Sequence, residues 1–251
     1  MELFFVNRNI ATAILLSLAM AVSACGGKSE SSDVPKVSAG ENVPPPEGKQ
    51  WSEMVVQTPD SGYLMGNPGA ALKVAEYGSF TCSHCAEFAE KSDAEIAQMV
   101  DTGKMSFEFR PFVRDPLDMT MAILAACGGT EMAFPMSHQL FAYQHMLFET
   151  VQKAGDDAYV AAMEKPPTER FIALAQMSGL IDFVKQRGIP EDKAKQCLAD
   201  AKQAETLAGR VQEATGKYNI TGTPTILVNG AVMENVAAWE ALRAKLKEAG
   251  L

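Results

Sequence analysis

The sequence has little positive charge to offer a polyanion, with 22 Lys and Arg residues against 31 Asp and Glu in a chain of 251 residues. Nucleic-acid binding depends on basic side chains that replace the counterions around phosphates, so the net charge of -9 argues against a nucleic-acid partner. Apolar residues are not scarce. They make up 47% of the chain, which excludes disorder throughout and is enough for one folded domain of about 200 residues.

The apolar run near the start, residues 10–22, is too short to hold the chain across a membrane. A helix of about 13 residues is roughly 20 Å long, whereas a hydrocarbon core is about 30 Å thick. Arg8 precedes the run, and small residues follow it up to Cys25. This arrangement is typical of a secretory signal, so we expect the protein to be exported.

The segment Val22-Ser23-Ala24-Cys25 resembles a bacterial lipobox, in which cleavage precedes the cysteine and the thiol is then diacylated. The resemblance implies a lipoprotein signal peptide over residues 1–24 and a lipidated Cys25 that anchors the protein to a membrane. Several acyl chains meet the requirement that stable anchoring needs more than one. An ordinary signal peptide with a spare cysteine is the alternative, and the choice between inner and outer membrane stays open.

A flexible linker is expected after the signal. Residues 26–48 are dominated by Gly, Ser, Pro and charged side chains and show no apolar period. As a random coil such a segment spans roughly 25 Å. We therefore expect a lipidated amino terminus and linker over residues 25–50, followed by a folded domain over residues 51–251.

Both strand and helix periods occur in the folded part. Alternation and short apolar runs predict strands at residues 54–57, 63–65, 71–77, 105–109, 225–228 and 231–233. Asn229-Gly230 predicts a two-residue hairpin between the last two strands, and Met105, Phe107 and Phe109 predict a strand with one buried face. Helical patterns cover residues 82–100, a long stretch at 117–216, and a last helix with Trp239 and Leu242. This order predicts an α/β fold, a mixed sheet interrupted by a helical insertion at about residues 116–216.

Cysteine is scarce as well, and two of the five cysteines lie close together in Cys82-Ser83-His84-Cys85. The segment follows a predicted strand and opens a predicted helix, where free backbone N–H groups and the helix dipole stabilise a thiolate. Cys82 should therefore have the lower pKa, and a charged or hydrogen-bonding His84 would lower it further. A stabilised thiolate makes the corresponding disulfide a stronger oxidant.

Glu76 is the acidic residue of interest near these cysteines. On an extended strand it shares a face with Leu72 and Val74, so its carboxyl should point toward the apolar side. A buried carboxyl has a raised pKa and can relay a proton to or from Cys85. The alternative is a glutamate at a strand end that reaches solvent.

Residues 76–85, Glu-Tyr-Gly-Ser-Phe-Thr-Cys-Ser-His-Cys, together with Gly222-Thr223-Pro224-Thr225, resemble the DsbA-like branch of the thioredoxin superfamily. The resemblance extends over about residues 62–251 and implies a thioredoxin fold with a helical insertion. It further implies that Pro224 is cis and packs against the active-site disulfide, and that the backbone of Thr223 pairs with an extended substrate. Glu76 stands six residues before Cys82, where the family has its buried acid.

The function that this resemblance implies is thiol:disulfide exchange with cysteines of exported proteins on the periplasmic side of the cell envelope. Oxidation of the substrates is the favoured direction. A membrane redox partner is then expected to reoxidise the protein, and no cofactor is expected. Ser83, however, stands where the family commonly has proline, and Thr223 also occurs in isomerase-like relatives. A reductase or isomerase therefore remains an alternative, because redox poise decides the direction.

Metal binding is the other chemistry that these residue types could serve. Structural zinc usually needs four ligands, and no second Cys-x-x-Cys occurs, so no metal site is expected. A soft-metal carrier that binds copper through Cys82 and Cys85 stays an alternative. His138 and His145 are seven residues apart, and two histidines alone are too few ligands for a typical metal site.

Cys127 and Cys197 remain, and the sequence leaves two readings open. Both cysteines lie in predicted helical segments beside apolar residues, where they would be inert buried thiols. In an oxidising compartment they would instead pair and close a loop of about 71 residues, which stabilises a fold by roughly 4 kcal/mol in the chain-entropy estimate.

Overall fold

A computed structural model describes residues 34–36 and 43–251 of the chain. The predicted signal peptide and the predicted lipidation site at Cys25 lie outside these ranges. Within them, a mixed sheet has the strand order β1-β2-β4-β3-β5-β6. Its strands are β1 (Val55–Gln57), β2 (Tyr63–Gly66), β3 (Leu72–Gly78), β4 (Met105–Pro111), β5 (Thr225–Val228) and β6 (Ala231–Val232).

Helices surround this sheet. They are α1 (Ser83–Asp101), α2 (Pro116–Cys127), α3 (Ala133–Ala154), α4 (Asp156–Met163), α5 (Pro167–Met177), α6 (Leu180–Lys185), α7 (Glu191–Leu198), α8 (Ala201–Tyr218) and α9 (Trp239–Glu248). Helix α1 is the crossover between the parallel pair β3 and β4. Helices α2 to α8 all lie between β4 and β5, so the α/β fold with a helical insertion is confirmed.

The two faces of β3 have different surroundings, which sets the direction of Glu76. Leu72 and Val74 belong to the main hydrophobic core, which also contains Phe88 of α1. Ala75 and Tyr77 face the other side of the sheet and pack with Ala214 of α8. Side chains alternate along a strand, so Glu76 points to the same side as Leu72 and Val74, toward the core.

The prediction that β4 has one buried and one solvent-facing side was wrong. Ser106 and Glu108 are buried as completely as Met105 and Phe107. The reason is that β4 lies inside the sheet between β2 and β3, and that Glu108 has polar partners there. The Glu108 carboxylate accepts hydrogen bonds from Thr58 Oγ1 at 2.5 Å and from Arg110 Nη2 at 2.7 Å.

The predicted hairpin at Asn229-Gly230 is confirmed. Both residues have positive φ, 50° and 83°, as a two-residue turn between β5 and β6 requires. Asn229 also fixes the turn to the neighbouring strand, because its Oδ1 accepts a hydrogen bond of 2.8 Å from the Lys73 backbone N–H. The turn residues therefore hold the β5–β6 hairpin beside β3.

Two further connections hold the periphery. The sulfurs of Cys127 and Cys197 are bonded, 2.08 Å apart, and join the end of α2 to α7. Trp51 Nε1 donates a hydrogen bond of 2.8 Å to the Val43 carbonyl and so fixes the start of the domain. Gly103, in the turn after α1, has a φ of 71°, and a side chain there would collide with the Val43 carbonyl. Within the described ranges, no helix combines the length and the apolar character that crossing a membrane requires.

Candidate active site

The two cysteines of the Cys-x-x-Cys segment lie at the amino-terminal end of α1. Cys82 is the N-cap residue with extended backbone, and Cys85 lies in the first turn. Both thiols are free, so the structure shows the reduced form. The exposed fraction is 4% for Cys82 and 0% for Cys85, so an attacking group reaches Cys82 more readily.

The two thiols have opposite electrostatic surroundings. A hydrogen bond from the Cys85 thiol lowers the pKa of Cys82 to about 4, with further contributions from Thr223 and from the backbone N–H groups of Cys85 and His84. Burial raises the pKa of Cys85, and the neighbouring Cys82 and Glu76 raise it further. Cys82 is therefore a stable thiolate and a good leaving group at neutral pH, whereas Cys85 keeps its proton.

Glu76 is buried beneath this pair, with an exposed fraction of 3%. Burial raises its pKa well above the usual range, and the charges of Asp93 and Cys82 add to the shift. The Oε1 atom is buried and has no hydrogen-bond partner. A carboxyl in this environment holds its proton more firmly than an ordinary glutamate and is able to pass it to a nearby thiolate.

Gly78 makes room for the Glu76 carboxyl. A Cβ atom at this position would lie 2.8 Å from Glu76 Oε1 and 2.5 Å from Cε2 of Phe109. Both distances are shorter than van der Waals contact, so any larger residue has to displace the carboxyl or the ring. The missing side chain of Gly78 therefore helps to set the position of the buried acid.

The loop before β5 approaches the cysteines from the other side. The Thr223-Pro224 peptide bond is cis, and Pro224 is buried. Cys82 Sγ lies 3.2 Å from the Thr223 carbonyl oxygen. Cys82, Cys85, Glu76, Thr223 and Pro224 thus come together although they stem from three separate segments of the chain.

His84 has a different place from the other predicted site residues. Its side chain is exposed and lines a cleft of about 200 Å³ together with Phe88, Thr223 and Trp239. The contribution of His84 to the low pKa of Cys82 comes from its backbone N–H group. The prediction that the imidazole itself favours the thiolate is therefore not needed to explain the shift.

Sequence reasoning missed the carboxylate that holds the loop before Cys82. Asp118 of α2 is 1% exposed and accepts hydrogen bonds from Ser79 Oγ at 2.6 Å, Phe80 N at 2.8 Å and Arg114 N at 3.0 Å. Its neighbour Asp115 caps α2 and accepts a hydrogen bond from Thr81 Oγ1 at 2.7 Å. Asp115 followed by proline is a recognisable helix start, but its contact with the cysteine loop is not visible in the sequence.

A second missed residue is Gln144 of α3. Its Nε2 atom is buried and donates hydrogen bonds to the carbonyl oxygens of Phe80 at 2.8 Å and Cys82 at 3.0 Å. The signal in the sequence is a polar residue on an otherwise apolar helix stripe with Leu140 and Leu147. Asp118 and Gln144 both belong to the helical insertion, so the insertion fixes the loop that presents the reactive sulfur.

The described residues offer the two thiols no further ligands for a metal ion. Among residues 34–36 and 43–251, no group of three or more His, Cys, Asp or Glu side chains is close enough together to hold a metal ion. A soft-metal role would accordingly rest on the two thiols alone.

A Cys-x-x-Cys at a strand–helix junction opposite a cis-proline defines a thioredoxin-like redox centre, and the chain belongs to the Thioredoxin family, whose model matches residues 58–248. It is similar to a Rickettsia bellii protein described as a candidate protein-disulfide oxidoreductase, with 27% identity over 70% of this chain and 60% of that protein. A Rickettsia prowazekii protein with the same description is 29% identical over 70% of this chain and 57% of that protein. The chain thus spans about three fifths of the length of these curated relatives.

Solved structures show the same fold. The protein-disulfide isomerase from Novosphingobium aromaticivorans has a TM-score of 0.72 and 29% identity, and the match covers 76% of this chain and 98% of that one. Wolbachia pipientis alpha-DsbA1 has a TM-score of 0.56 and 20% identity, and the match covers 74% of this chain and 90% of that one. The second likeness concerns the fold alone, and together they confirm the predicted DsbA-like thioredoxin architecture.

Proposed function

We propose that this protein is a thiol:disulfide oxidoreductase that oxidises cysteines of exported proteins at its Cys82–Cys85 disulfide. The observation that carries the proposal is the contrast between the two thiols, a stable Cys82 thiolate above a buried, protonated Cys85. At pH 7 a thiol pKa of about 4 stabilises the reduced form by about 4 kcal/mol, which raises the reduction potential by about 90 mV.

The reaction begins when a substrate thiolate attacks Cys82 Sγ. A new S–S bond forms, the Cys82–Cys85 bond breaks, and its electron pair stays on Cys85, which takes a proton from Glu76. A second substrate thiolate then attacks the substrate sulfur of the mixed disulfide and releases Cys82 as a thiolate. The substrate leaves with a disulfide, and its two electrons remain on the protein as two reduced cysteines.

The substrate segment is expected to lie along the loop before β5. Thr223 has its carbonyl oxygen 3.2 Å from Cys82 Sγ, so its backbone is placed beside any chain that is bonded to Cys82. An extended peptide can hydrogen-bond to such a backbone irrespective of its side chains. This mode of contact suits an enzyme that acts on many exported proteins.

The test is the equilibrium reduction potential of the Cys82–Cys85 pair, titrated against glutathione and measured by thiol trapping. A value between about -120 and -180 mV is expected for an oxidase. A value at or below about -230 mV would refute the oxidant role. A Cys82→Ala variant serves as the control because it removes the attacked sulfur.

An isomerase is the second candidate, because the Novosphingobium aromaticivorans structure with 29% identity is titled a protein-disulfide isomerase. An isomerase works from the reduced form, with Cys82 free to attack a wrongly formed disulfide. Refolding of a substrate with scrambled disulfides separates the roles. An oxidase adds disulfides to a reduced substrate, whereas an isomerase, supplied reduced, restores activity to a scrambled one.

We further propose that the protein acts on the periplasmic side of the cell envelope, anchored by lipid on Cys25 and reoxidised by a membrane partner. The signal-like start of the sequence supports export, and the Cys127–Cys197 bond suits an oxidising compartment. Labelling with a radioactive fatty acid should modify the wild-type protein but not Cys25→Ala. Intact mass after alkylation without reductant should show both Cys127 and Cys197 unmodified, and two blocked thiols there would contradict the bond.

A further inference from the structure

The proposed reaction moves a proton between two groups that solvent does not reach. Cys85 is 0% exposed and Glu76 is 3% exposed. The charged or titratable groups found to act on Glu76 are Asp93, Cys82 and Cys85, and none of them is a cation. Without a positive partner, Glu76 cannot remain ionised at low cost after it gives up its proton. A new proton therefore has to reach it through neighbouring side chains.

Asp93 and His138 form a pair that bridges α1 and α3. Asp93 lies on α1, and its Oδ2 atom is 3.3 Å from Nε2 of His138 on α3. Asp93 is also close enough to Glu76 to be the largest influence on the Glu76 pKa after burial. Burial raises the pKa of Asp93 to about 7 and lowers that of His138 to about 4. Asp93 thus binds and releases a proton near neutral pH, which an ordinary aspartate does not.

A cleft connects this pair to solvent. It has a volume of about 500 Å³ and lies between α1 and α3, and both Asp93 and His138 line it. The side chains of the pair remain 29% and 39% exposed. The other titratable groups that line the cleft are Glu87 and Glu90 on α1 and His145 on α3. Of the residues that line the cleft, Asp93 is the one whose charge acts on the buried Glu76.

We propose that Glu76 exchanges its proton with solvent by way of Asp93 and His138. This inference rests on the proposed thiol exchange and adds the route by which it is supplied with protons. When Cys85 leaves as a thiolate, Glu76 protonates it and becomes a carboxylate. Asp93 then gives its proton to Glu76, and the Asp93 carboxylate recovers one from the His138 ring, which takes a proton from solvent in the cleft. One proton enters from solvent for each Cys85 thiol formed, and the reverse sequence releases it on reoxidation.

The test uses His138→Ala in the full-length protein and added imidazole. The rate of reduction of the oxidised protein by glutathione is followed by quenching and thiol trapping between pH 5 and 9. We expect the variant to react at least about tenfold more slowly at pH 7, since proton transfer by a positioned group commonly contributes more than this. Imidazole fits the cleft and should restore the rate in proportion to its concentration.

Matched variants separate proton transfer from a structural role. His145→Ala removes the other histidine of the same cleft, which is 84% exposed, and should react like the wild type. Asp93→Asn keeps the shape of the side chain but cannot take up or release a proton, so it should be slow and should not respond to imidazole. It should also lose the dependence of the rate on a group with a pKa of about 7.

Three outcomes would overturn the proposal. His138→Ala reacting as fast as wild type would do so. So would a slow His138→Ala that imidazole does not restore, and so would an Asp93→Asn variant with the wild-type pH profile. If the wild-type protein itself exchanged no thiols, the proposed function would fail first. If the wild type exchanged thiols and both variants reacted like it, only the proposed proton route would be refuted.

Discussion

Replacement of Asp118 by Asn tests whether the helical insertion holds the cysteine loop. The carboxylate accepts hydrogen bonds from Ser79 Oγ, Phe80 N and Arg114 N, whereas an amide offers a single acceptor oxygen. At least one buried donor then loses its partner, at a cost of about 1–3 kcal/mol. We expect Asp118→Asn to lower the free energy of unfolding by about this amount at pH 7.

The pH dependence of this loss has a defined sign. Burial raises the pKa of Asp118 to about 7 from its ordinary 3.8, so the folded state binds the proton more tightly than the unfolded state. This contribution to stability is fully present below pH 3.8, and it is lost as the pH rises through 7. It amounts to about 4 kcal/mol over that range. Because asparagine does not titrate, the deficit of Asp118→Asn should be larger at pH 5 than at pH 8.

Urea unfolding of wild type and variant at pH 5, 7 and 8 measures both effects. Asp182→Asn is the control, since Asp182 is exposed on α6 and its replacement should change stability by no more than about 0.5 kcal/mol. The reasoning would be refuted if Asp118→Asn were as stable as Asp182→Asn. It would equally be refuted if the deficit of Asp118→Asn grew as the pH rose.

Three further predictions concern the reactive residues. Thiolate absorbance of the reduced protein should titrate near pH 4 and vanish in Cys82→Ala, and titration near pH 9 would contradict the low pKa. Glu76→Gln should make the protein more stable at high pH, because the raised pKa of Glu76 costs stability as the pH rises, and it should slow thiol exchange at Cys85. An unchanged pH profile of thiol exchange would remove Glu76 from the mechanism. Gly78→Ala should lower the free energy of unfolding by about 1–3 kcal/mol and shift the pH profile of thiol exchange, because its Cβ would lie 2.8 Å from Glu76 Oε1. In the control, Gly216→Ala on α8, the new Cβ meets no atom within 4 Å, so this change should be neutral or stabilising.

The local features of the fold could be predicted from the sequence because short-range periods encode them. The Asn229-Gly230 turn needs positive φ at both residues, and the burial of Glu76 follows from the strand face that it shares with Leu72 and Val74. Neither conclusion requires knowledge of distant contacts. The exposure of β4 could not be predicted in this way, because Glu108 is buried against Thr58, which is 50 residues away in the chain.

The support of the site was hidden for the same reason. Gln144 and Phe80 are 64 residues apart, and Asp118 and Phe80 are 38 residues apart. Such pairs arise only when the helical insertion folds back over the loop before Cys82. Glu76, Cys82 and Cys85 could be proposed from the sequence because they stand within ten residues of one another, whereas the groups that hold their loop come from distant segments.

The contact between Trp51 and Val43 fixes where the chain enters the folded domain. The segment at Val43 meets the domain near Gly103, just beyond the carboxyl end of α1, whereas Cys82 caps the opposite end of the same helix. The helix has 19 residues and is about 28 Å long, so this entry point and the Cys82 sulfur are separated by the length of α1. A substrate bonded to Cys82 therefore does not compete for space with the segment that packs around Trp51.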